Sequence, residues 1–408
     1  MVKTTMWRCS SIEGVASREG LLSSFPKSLL THGEAISKQI LSSLRAKTCD
    51  SWSPKTNSKL TLILLAQPGA SARFGTWCAC QNRSAPMSQY SQFSVSKVFG
   101  MPSIPEKVTA IGYADGSNPF IPATDTNYVF RKEFLREVLA YLKEPGGDAL
   151  FVTGPTGSGK TSGITEIAGR LNWPVQQITA HGRMELTDLI GHHALVAEKP
   201  GQPPVMKFMY GPLAVAMREG HLLLINEVDL ADPAELAGLN DVLEGRPLVI
   251  AQNGGEIIKP HPMFRVVVTG NSTGSGDASG LYQGVMMQNL AAMDRYRFTK
   301  VGYADEEAEL SILGRVTPKL PENVRKGMVR IANQVRKLFL GENGEDGQLS
   351  ITMSTRTLVR WAKLSLAFRG APNALEYALD QALLIRAAKE EREAILRVAK
   401  DVFGDQWR

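Results

Sequence analysis

The fold class follows from one stretch of sequence, Gly154-Pro155-Thr156-Gly157-Ser158-Gly159-Lys160-Thr161. Its spacing is G-x-x-x-x-G-K-[ST], in which glycines let successive backbone N–H groups turn inward around phosphate oxygens. An apolar run, Ala149–Thr153, precedes the stretch and predicts a buried strand, and a helix is expected from Lys160 to Leu171. This order predicts a loop that binds ATP with Mg²⁺. Lys160 would reach the β- and γ-phosphates, and the Thr161 hydroxyl would ligate Mg²⁺.

A second polar cluster follows the apolar run at His221–Ile225, in the order Asn226-Glu227-Val228-Asp229. Acidic residues at the end of a parallel strand would lie beside the phosphate loop, where Glu227 could polarise an attacking water. The position that usually carries the Mg²⁺-binding aspartate holds Asn226, whose amide can hydrogen-bond a metal-bound water but adds no negative charge. Asp229 could compensate, or hydrolysis could be slow. The alternative is an ordinary acidic strand end.

A third element is the predicted strand Phe264–Thr269, followed by Gly270-Asn271. A polar side chain at this strand end could hydrogen-bond the attacking water or the γ-phosphate. An asparagine that only initiates a turn fits equally well on its own.

The remaining periodicity predicts an α/β core whose parallel sheet is sandwiched by helices, followed by an all-helical C-terminal lid. Further elements of the core are predicted at Arg131–Lys143 (helix), Val175–Thr179 (strand), Leu213–Arg218 (helix) and Ala234–Leu243 (helix). After about residue 305 the strand signals stop, and helices are predicted at Glu306–Gly314, Val324–Leu338, Thr355–Phe368 and, with breaks, Ala374–Val402.

The positive charge of the chain is confined to its first part. The 408 residues include 46 Lys+Arg and 40 Asp+Glu, of which 11 Lys+Arg and 4 Asp+Glu lie in residues 1–86. Residues 87–408 therefore have a net charge of −1. All four cysteines also lie in residues 1–86, which excludes a disulfide-stapled fold for residues 87–408. We expect residues 1–86 to be a disordered leader, or a mis-called start with translation beginning at Met87. An organelle transit peptide is a third interpretation.

The chain resembles the MoxR-like branch of the AAA+ ATPases, and within it the cobaltochelatase ATPase subunits (the CobS group). The resemblance covers roughly residues 96–300, with weaker agreement beyond. The most specific stretches are the glycine-rich loop at 273–284, the Met293-Asp294-Arg295 that follows it, and Pro-His-Pro-Met-Phe-Arg at 260–265. Other similar stretches are 98–100, 125–130, 170–174 and 188–191.

The resemblance implies an ATPase ring, usually hexameric, with nucleotide sites between subunits. It makes Asn271 sensor 1, Arg295 an arginine finger acting on the neighbouring subunit, and Arg356 sensor 2. On spacing alone these arginines would be surface residues. It also implies β-hairpin insertions, for which Ala194–Phe208 and Leu248–Ile258 are suited.

The resemblance further implies a partner with a von Willebrand A domain and, for cobaltochelatases, a separate large chelatase subunit that receives the metal. The predicted function is Mg-ATP-dependent remodelling of such a partner complex in the cytoplasm, with cobalt insertion in aerobic cobalamin synthesis as its named form. Neither nucleic acid nor a membrane is an expected partner. The alternatives are a DNA-linked or mobile-element motor, and a slowly hydrolysing nucleotide switch suggested by Asn226. We interpret the adjacent His192 and His193 as loop or surface residues rather than metal ligands.

These patterns predict four segments. They are 1–86, the leader or mis-called start; 87–145, an extension with a lead-in helix; 146–302, the nucleotide-binding domain; and 303–408, the helical lid.

Overall fold

The computed structural model describes residues 90–197, 203–276, 284–341 and 349–407, all within the unit Arg83–Arg408. The predictions for residues 1–86 lie outside this part of the chain. The strands are β1 (Tyr90–Ser94), β2 (Thr109–Tyr113), β3 (Ala149–Thr153), β4 (Val175–Thr179), β5 (Gly191–Val196), β6 (Val205–Tyr210), β7 (Leu222–Asn226), β8 (Leu248–Ile250), β9 (Glu256–Ile258), β10 (Arg265–Gly270) and β11 (Tyr296–Lys300).

The helices divide into those that flank the strands and those that follow them. Helices among the strands are α1 (Val95–Val98), α2 (Lys132–Lys143), α3 (Lys160–Arg170), α4 (Leu186–Ile190), α5 (Pro212–Glu219), α6 (Pro233–Ala237), α7 (Asn240–Leu243) and α8 (Leu290–Met293). The C-terminal helices are α9 (Glu306–Val316), α10 (Glu322–Leu340), α11 (Thr355–Ala367), α12 (Ala374–Ala382) and α13 (Lys389–Phe403). Within the described ranges, none of them is long and apolar enough to cross a membrane.

A parallel five-stranded sheet in the order β11-β3-β10-β7-β4 forms the centre of the molecule. Successive strand side chains point to opposite faces. In β3, Leu150 and Val152 therefore pack with α2 and α3 on one face, while Phe151 packs with α5 on the other. Helices thus cover both faces of the sheet, as the sequence predicts. The carboxyl ends of β3, β7 and β10 meet at one edge, where the polar residues of the three motifs follow them.

Two antiparallel hairpins extend from this core, as the resemblance implied. β5 pairs with β6, and β8 pairs with β9. The turn of the second hairpin contains Gly254 and Gly255, both with positive φ (66° and 75°), a conformation that favours glycine. His192 and His193 are exposed, as predicted, but they lie on β5 rather than in a loop.

The C-terminal helices share a separate apolar core. Trp361, Met328, Ile331 and Ile395 are fully buried in it. Their helices, α10, α11 and α13, form with α9 and α12 an all-helical lid that follows β11, and this agrees with the predicted architecture.

The structure corrects one predicted helix and adds strands that the sequence analysis missed. Ala234–Leu243 is not continuous, because the chain turns at Gly238 between α6 and α7. A Cβ at Gly238 would lie 2.5 Å from Leu186, so the glycine lets α4 approach this turn. The missed strands are β1 and β2, which pair with each other, and β11, the edge strand beside β3. Their short, mixed sequences show no clear alternation of apolar and polar residues.

Candidate functional site

The loop Gly154–Thr161 joins the end of β3 to the start of α3 and adopts a conformation that favours glycine at three positions. Gly154, Gly157 and Gly159 have φ values of +152°, +68° and +88°. A Cβ at Gly154 would lie 2.0 Å from the carbonyl oxygen of Val301, and one at Gly157 would lie 2.4 Å from Cβ of Ser354. The loop is therefore tightly enclosed by the chain that leads into the lid and by the start of α11.

The Lys160 side chain lies inside this loop and is 7% exposed. Its ammonium donates to the carbonyl oxygens of Gly154 (2.7 Å) and Pro155 (3.1 Å) and to Oδ1 of Asn271 (2.9 Å). Burial lowers the pKa of Lys160 to about 8, against the opposing effects of Glu227 and Asp229. A cation held this way is available to an anionic ligand bound in the loop.

Thr161 and Asn226 form the oxygen-rich part of the site. The Thr161 hydroxyl donates to Oδ1 of Asn226 at 2.7 Å, and the Thr269 hydroxyl lies 3.4 Å from the same oxygen. Hydroxyl and amide oxygens are ligands that a hard cation such as Mg²⁺ accepts, usually with several of its waters retained. These residues therefore fit Mg²⁺, although the set lacks a carboxylate at Asn226.

Glu227 and Asn271 lie at the ends of neighbouring strands and contact each other directly. The Asn271 amide donates to a Glu227 carboxylate oxygen at 2.7 Å, while its own Oδ1 accepts from Lys160. Glu227 has φ +54°, a left-handed backbone conformation uncommon outside glycine, immediately after β7. This strained turn directs Glu227 toward the loop end of β10.

Asp229 is completely buried and organises the loop after β10. Its Oδ2 accepts from the backbone N–H groups of Asn271 (2.7 Å) and Ser272 (3.0 Å). The carboxylate thus fixes the main chain at Asn271, and this function was not predicted from the sequence.

Arg356 lies at the start of α11, beside the phosphate loop. It is exposed, and its charge helps to lower the pKa of Lys160. Ser354 caps this helix by accepting from the N–H of Thr357 at 3.1 Å, and its side chain lies against Gly157. The lid therefore brings Arg356 to the same edge of the sheet as Lys160 and Glu227.

A cavity of about 200 Å³ lies beside the last turn of α3, where Arg170 contributes to its wall. Tyr128 also lines it, and the Tyr128 hydroxyl would lie 3.1 Å from a Cβ at Gly163 in the first turn of the same helix. Aromatic, apolar and basic side chains line it, among them Phe99, Phe130, Arg170 and Arg315. Two of the stretches that carry the resemblance, 98–100 and 125–130, meet here.

The comparisons with known proteins agree with this arrangement. Residues 149–283 match the family described as "AAA domain (dynein-related subfamily)", and residues 309–402 match "CbbQ/NirQ/NorQ C-terminal". The aerobic cobaltochelatase subunit CobS of Sinorhizobium sp. is 30% identical over 317 residues, which cover 76% of this chain and 90% of that protein. The chain belongs to the MoxR-like family of AAA+ ATPases.

Two other matches show lower identity. An uncharacterised protein of Staphylococcus saprophyticus is 25% identical over 68% of this chain and 98% of its own length. Among solved structures, the RuvB Holliday junction branch migration motor of Thermotoga maritima is 13% identical with a TM-score of 0.39, covering 71% of this chain and 76% of that one. A likeness at that level carries no argument about activity.

The structure does not bring Arg295 to this MoxR-like chain's own phosphate loop. The Arg295 carbonyl accepts from the N–H of Ala149 at the start of β3, whereas the loop begins after the end of that strand. Strand β3 has five residues, each with a rise of about 3.3 Å, so the main chain of Arg295 lies roughly 16 Å from the start of the phosphate loop. Within its own subunit, Arg295 pairs with Glu244 through contacts of 2.6 and 2.7 Å.

Two further residues, which the sequence did not predict, hold the phosphate loop. Arg131 donates to the carbonyl oxygens of Ser158 (2.7 Å) and Gly302 (2.6 Å). Tyr303 donates to the carbonyl oxygen of Thr156 at 3.3 Å. No motif marks either residue, because their partners are backbone atoms far away in the sequence.

Proposed function

We propose that this AAA+ chain binds and hydrolyses Mg-ATP, and that hydrolysis drives remodelling of a partner complex. The observation that carries the proposal is the position of Asn271, which contacts both Lys160 and Glu227. One side chain thus links the cation that would contact the terminal phosphate to the carboxylate that would orient water. A structural glycine turn would not need this connection.

Each group has a distinct part in the proposed reaction. The backbone N–H groups of residues 154–161 and the start of α3 would bind the phosphates. Lys160 would neutralise the charge that develops on them, and Glu227 would accept a hydrogen bond from the attacking water. Thr161 and Asn226 would hold Mg²⁺, Asn226 through water. When bound, Mg²⁺ supplies charge stabilisation to the phosphate oxygens.

The cavity beside α3 is suited to the base of the nucleotide. Its aromatic side chains offer faces on which a purine could stack, and Tyr128 reaches from its wall to the first turn of α3. Phe130 already packs edge-to-face against Phe99 and Tyr128.

The ring is part of the same proposal. Arg295 would act as the arginine finger on the site of a neighbouring copy, since it lies far from its own loop, and Arg356 would contact the nucleotide within its own subunit. In the transition state of γ-phosphoryl transfer, negative charge is spread over several oxygens, and an added guanidinium can stabilise it. We propose a homo-oligomeric ring, hexameric by analogy with the family, acting in the cytoplasm.

Steady-state ATP hydrolysis by three proteins tests this proposal. We expect the wild type to turn over ATP, Lys160→Ala to lose nucleotide binding, and Glu227→Gln to bind ATP while turnover falls about 10²- to 10⁴-fold. Lys143→Ala, a change to an exposed lysine at the end of α2, is the control and should match the wild type. Equal turnover in the wild type and Lys160→Ala would contradict the proposal.

The finer form of the proposal is cobalt insertion in aerobic cobalamin synthesis. Its support is the similarity to a cobaltochelatase subunit over most of both chains. The partners would then be a von Willebrand A-domain protein and a large chelatase subunit. Purified together with a corrin substrate, Co²⁺ and ATP, the three proteins should insert the metal. Insertion that proceeds equally well with Lys160→Ala would count against this role.

A nucleotide switch is the second candidate, and Asn226 favours it. An amide adds no negative charge beside Mg²⁺, so hydrolysis could be slow although ATP binds. In that case the wild type and Glu227→Gln would bind ATP alike and show the same background turnover.

A further inference from the structure

A buried ion pair lies inside the lid, outside the proposed nucleotide site. Glu309 on α9 is fully buried and Arg336 on α10 is 4% exposed. Two guanidinium nitrogens donate to the two carboxylate oxygens at 2.9 and 2.7 Å, a bidentate geometry. Burying both charges carries a large desolvation cost, and apolar residues of similar size would often stabilise this space at least as well. Lid stability alone therefore does not account for the pair.

The pair holds the two residues that flank Ser354. The Arg336 Nε donates to the carbonyl oxygen of Met353 at 2.7 Å, and the Thr355 hydroxyl donates to Glu309 at 2.7 Å. Ser354 is thereby fixed from both sides, and it is the residue whose side chain lies against Gly157 of the phosphate loop. Arg356 comes one residue after Thr355.

Arg336 also supports a second contact with the loop. Its guanidinium lies over the ring of Tyr303, 4.5 Å from the centroid. The Tyr303 hydroxyl donates to the carbonyl oxygen of Thr156 and lies 3.4 Å from the hydroxyl of Thr352. One guanidinium thus organises the lid's contacts with two neighbouring loop residues, Thr156 and Gly157.

We propose that Glu309 and Arg336 are a positioning pair for the nucleotide site. They hold the start of α11 and the ring of Tyr303 against the phosphate loop, and so fix both the loop and Arg356 before nucleotide binds. The proposal rests on the function proposed above, since the loop is taken to be where phosphate binds. It deepens that function by naming residues that touch no substrate and act through Ser354 and Tyr303.

The test replaces both charges at once, by Glu309→Leu with Arg336→Met, and follows amide hydrogen exchange in the full chain without nucleotide. We expect exchange over residues 154–161 and 353–358 to become about tenfold faster. Residues 329–335 of the lid core should stay within about twofold of the wild type, because apolar replacement of a buried pair is often neutral for stability. A purely structural role would instead raise exchange throughout the lid.

Two further variants keep the experiment decisive. Glu322→Leu with Lys326→Met removes an exposed ion pair of the same helix and should leave residues 154–161 unchanged. Arg336→Lys keeps a positive charge beside Glu309 but removes the planar guanidinium, which also donates to Met353. We therefore expect an intermediate increase in exchange over residues 154–161 and unchanged exchange in the lid core. If the double variant fails to fold, this variant decides.

Unchanged hydrogen exchange over residues 154–161 in the Glu309→Leu, Arg336→Met variant would overturn the proposal. Faster exchange that includes residues 329–335 in both this variant and Arg336→Lys would overturn it too. The failure of the proposed function looks different. In that case the wild type would neither bind nor hydrolyse ATP, whereas the exchange pattern, measured without nucleotide, would still report on the pair.

Discussion

At the residue scale, the least expected feature is Asn226, an amide at the strand end where Mg²⁺-dependent ATPases of this kind usually carry an aspartate. The Thr161 hydroxyl already donates to Asn226 Oδ1, and a carboxylate oxygen could accept the same hydrogen bond. The site therefore has room for the usual residue, and its charge is the main difference.

We expect Asn226→Asp to strengthen apparent Mg²⁺ binding on the order of tenfold and to raise ATP turnover, because ligand charge tunes the affinity for hard cations. Turnover measured across a Mg²⁺ titration checks this. Asn226→Ala, which removes the oxygen, is the matched control and should weaken Mg²⁺ dependence. Slower turnover in the aspartate variant would mean that the amide is adapted to its function.

Lys160 should make nucleotide binding dependent on pH. Its pKa is about 8 in the free protein, so the ammonium loses its proton as the pH rises past that value. Anionic phosphates favour the charged form, so binding above pH 8 should take up a proton. Affinity at pH 9 should then be about tenfold lower than at pH 7.

Calorimetry in buffers of different ionisation enthalpy measures this proton uptake directly. Lys160→Arg, which stays charged, should bind without it. An affinity that is flat between pH 7 and pH 9 in the wild type would contradict the prediction. The same shift affects stability in the opposite direction. Between pH 8 and 10.5 the unfolded chain binds more protons at this lysine than the folded one, so the contribution to folding rises with pH.

At the scale of single elements, Tyr141 joins α2 to the start of β10. Its hydroxyl donates to the carbonyl oxygen of Val266 at 2.6 Å and accepts from the N–H of the same residue at 3.2 Å. Burial, the largest cause, raises the pKa of this hydroxyl, so it remains protonated and able to donate. A helix side chain thus completes the hydrogen bonding of a strand end.

We expect Tyr141→Phe to lower the free energy of unfolding by about 1–3 kcal/mol, because it leaves the Val266 N–H and carbonyl groups buried and unpaired. Urea unfolding monitored by far-UV circular dichroism measures the change. Tyr377→Phe removes a hydroxyl from a half-exposed ring on α12 and should have almost no effect. Equal decreases in the free energy of unfolding in the two variants would contradict a stabilising role for the Tyr141 hydroxyl.

The elements with strong local signals were predictable from sequence. β3 and β7 are apolar runs followed by recognisable polar motifs, and α3 begins in the phosphate loop. β11 was missed because Tyr296-Arg297-Phe298-Thr299-Lys300 mixes charged and aromatic residues on an edge strand. Its pairing with β3 depends on tertiary contacts, among them the stacking of Phe298 on Phe151.

The site residues that stand in sequence motifs were also predictable, whereas those that contact only backbone atoms were not. Lys160, Glu227 and Asn271 stand in motifs whose order along the chain reflects neighbouring strand ends. Arg131 and Tyr303 could not be found, because they donate to backbone oxygens, and any residue type can provide such an acceptor. Whether Arg295 and Arg356 act as the resemblance implies remains a prediction.

At the scale of the whole molecule, the separation of Arg295 from its own loop predicts complementation between subunits. Arg295→Ala should bind ATP but lose turnover, by about 10³-fold if it acts as an arginine finger. Lys160→Ala retains Arg295 but cannot bind nucleotide. In mixed rings, a Lys160→Ala subunit should supply its arginine to a neighbouring Arg295→Ala site.

Turnover by an equimolar mixture of the two variants, compared with each alone, measures this effect. We expect the mixture to be clearly more active than either parent. Lys160→Ala mixed with Glu227→Gln is the control and should stay inactive, because neither variant has a complete set of groups at its own phosphate loop. A mixture of the first pair that remains at background would argue that Arg295 does not act between subunits.

The seam between the core and the lid has an evolutionary consequence. Tyr303 and Arg315, both in the lid, donate to main-chain oxygens outside it, those of Thr156 and Tyr128. The acceptor side of these contacts imposes no demand on side-chain identity. Substitutions can therefore change the residues that provide these acceptors without separating the lid from the core, provided that the donor side chains are retained. Such an attachment would let the exposed surfaces of core and lid diversify while the contact between them is inherited.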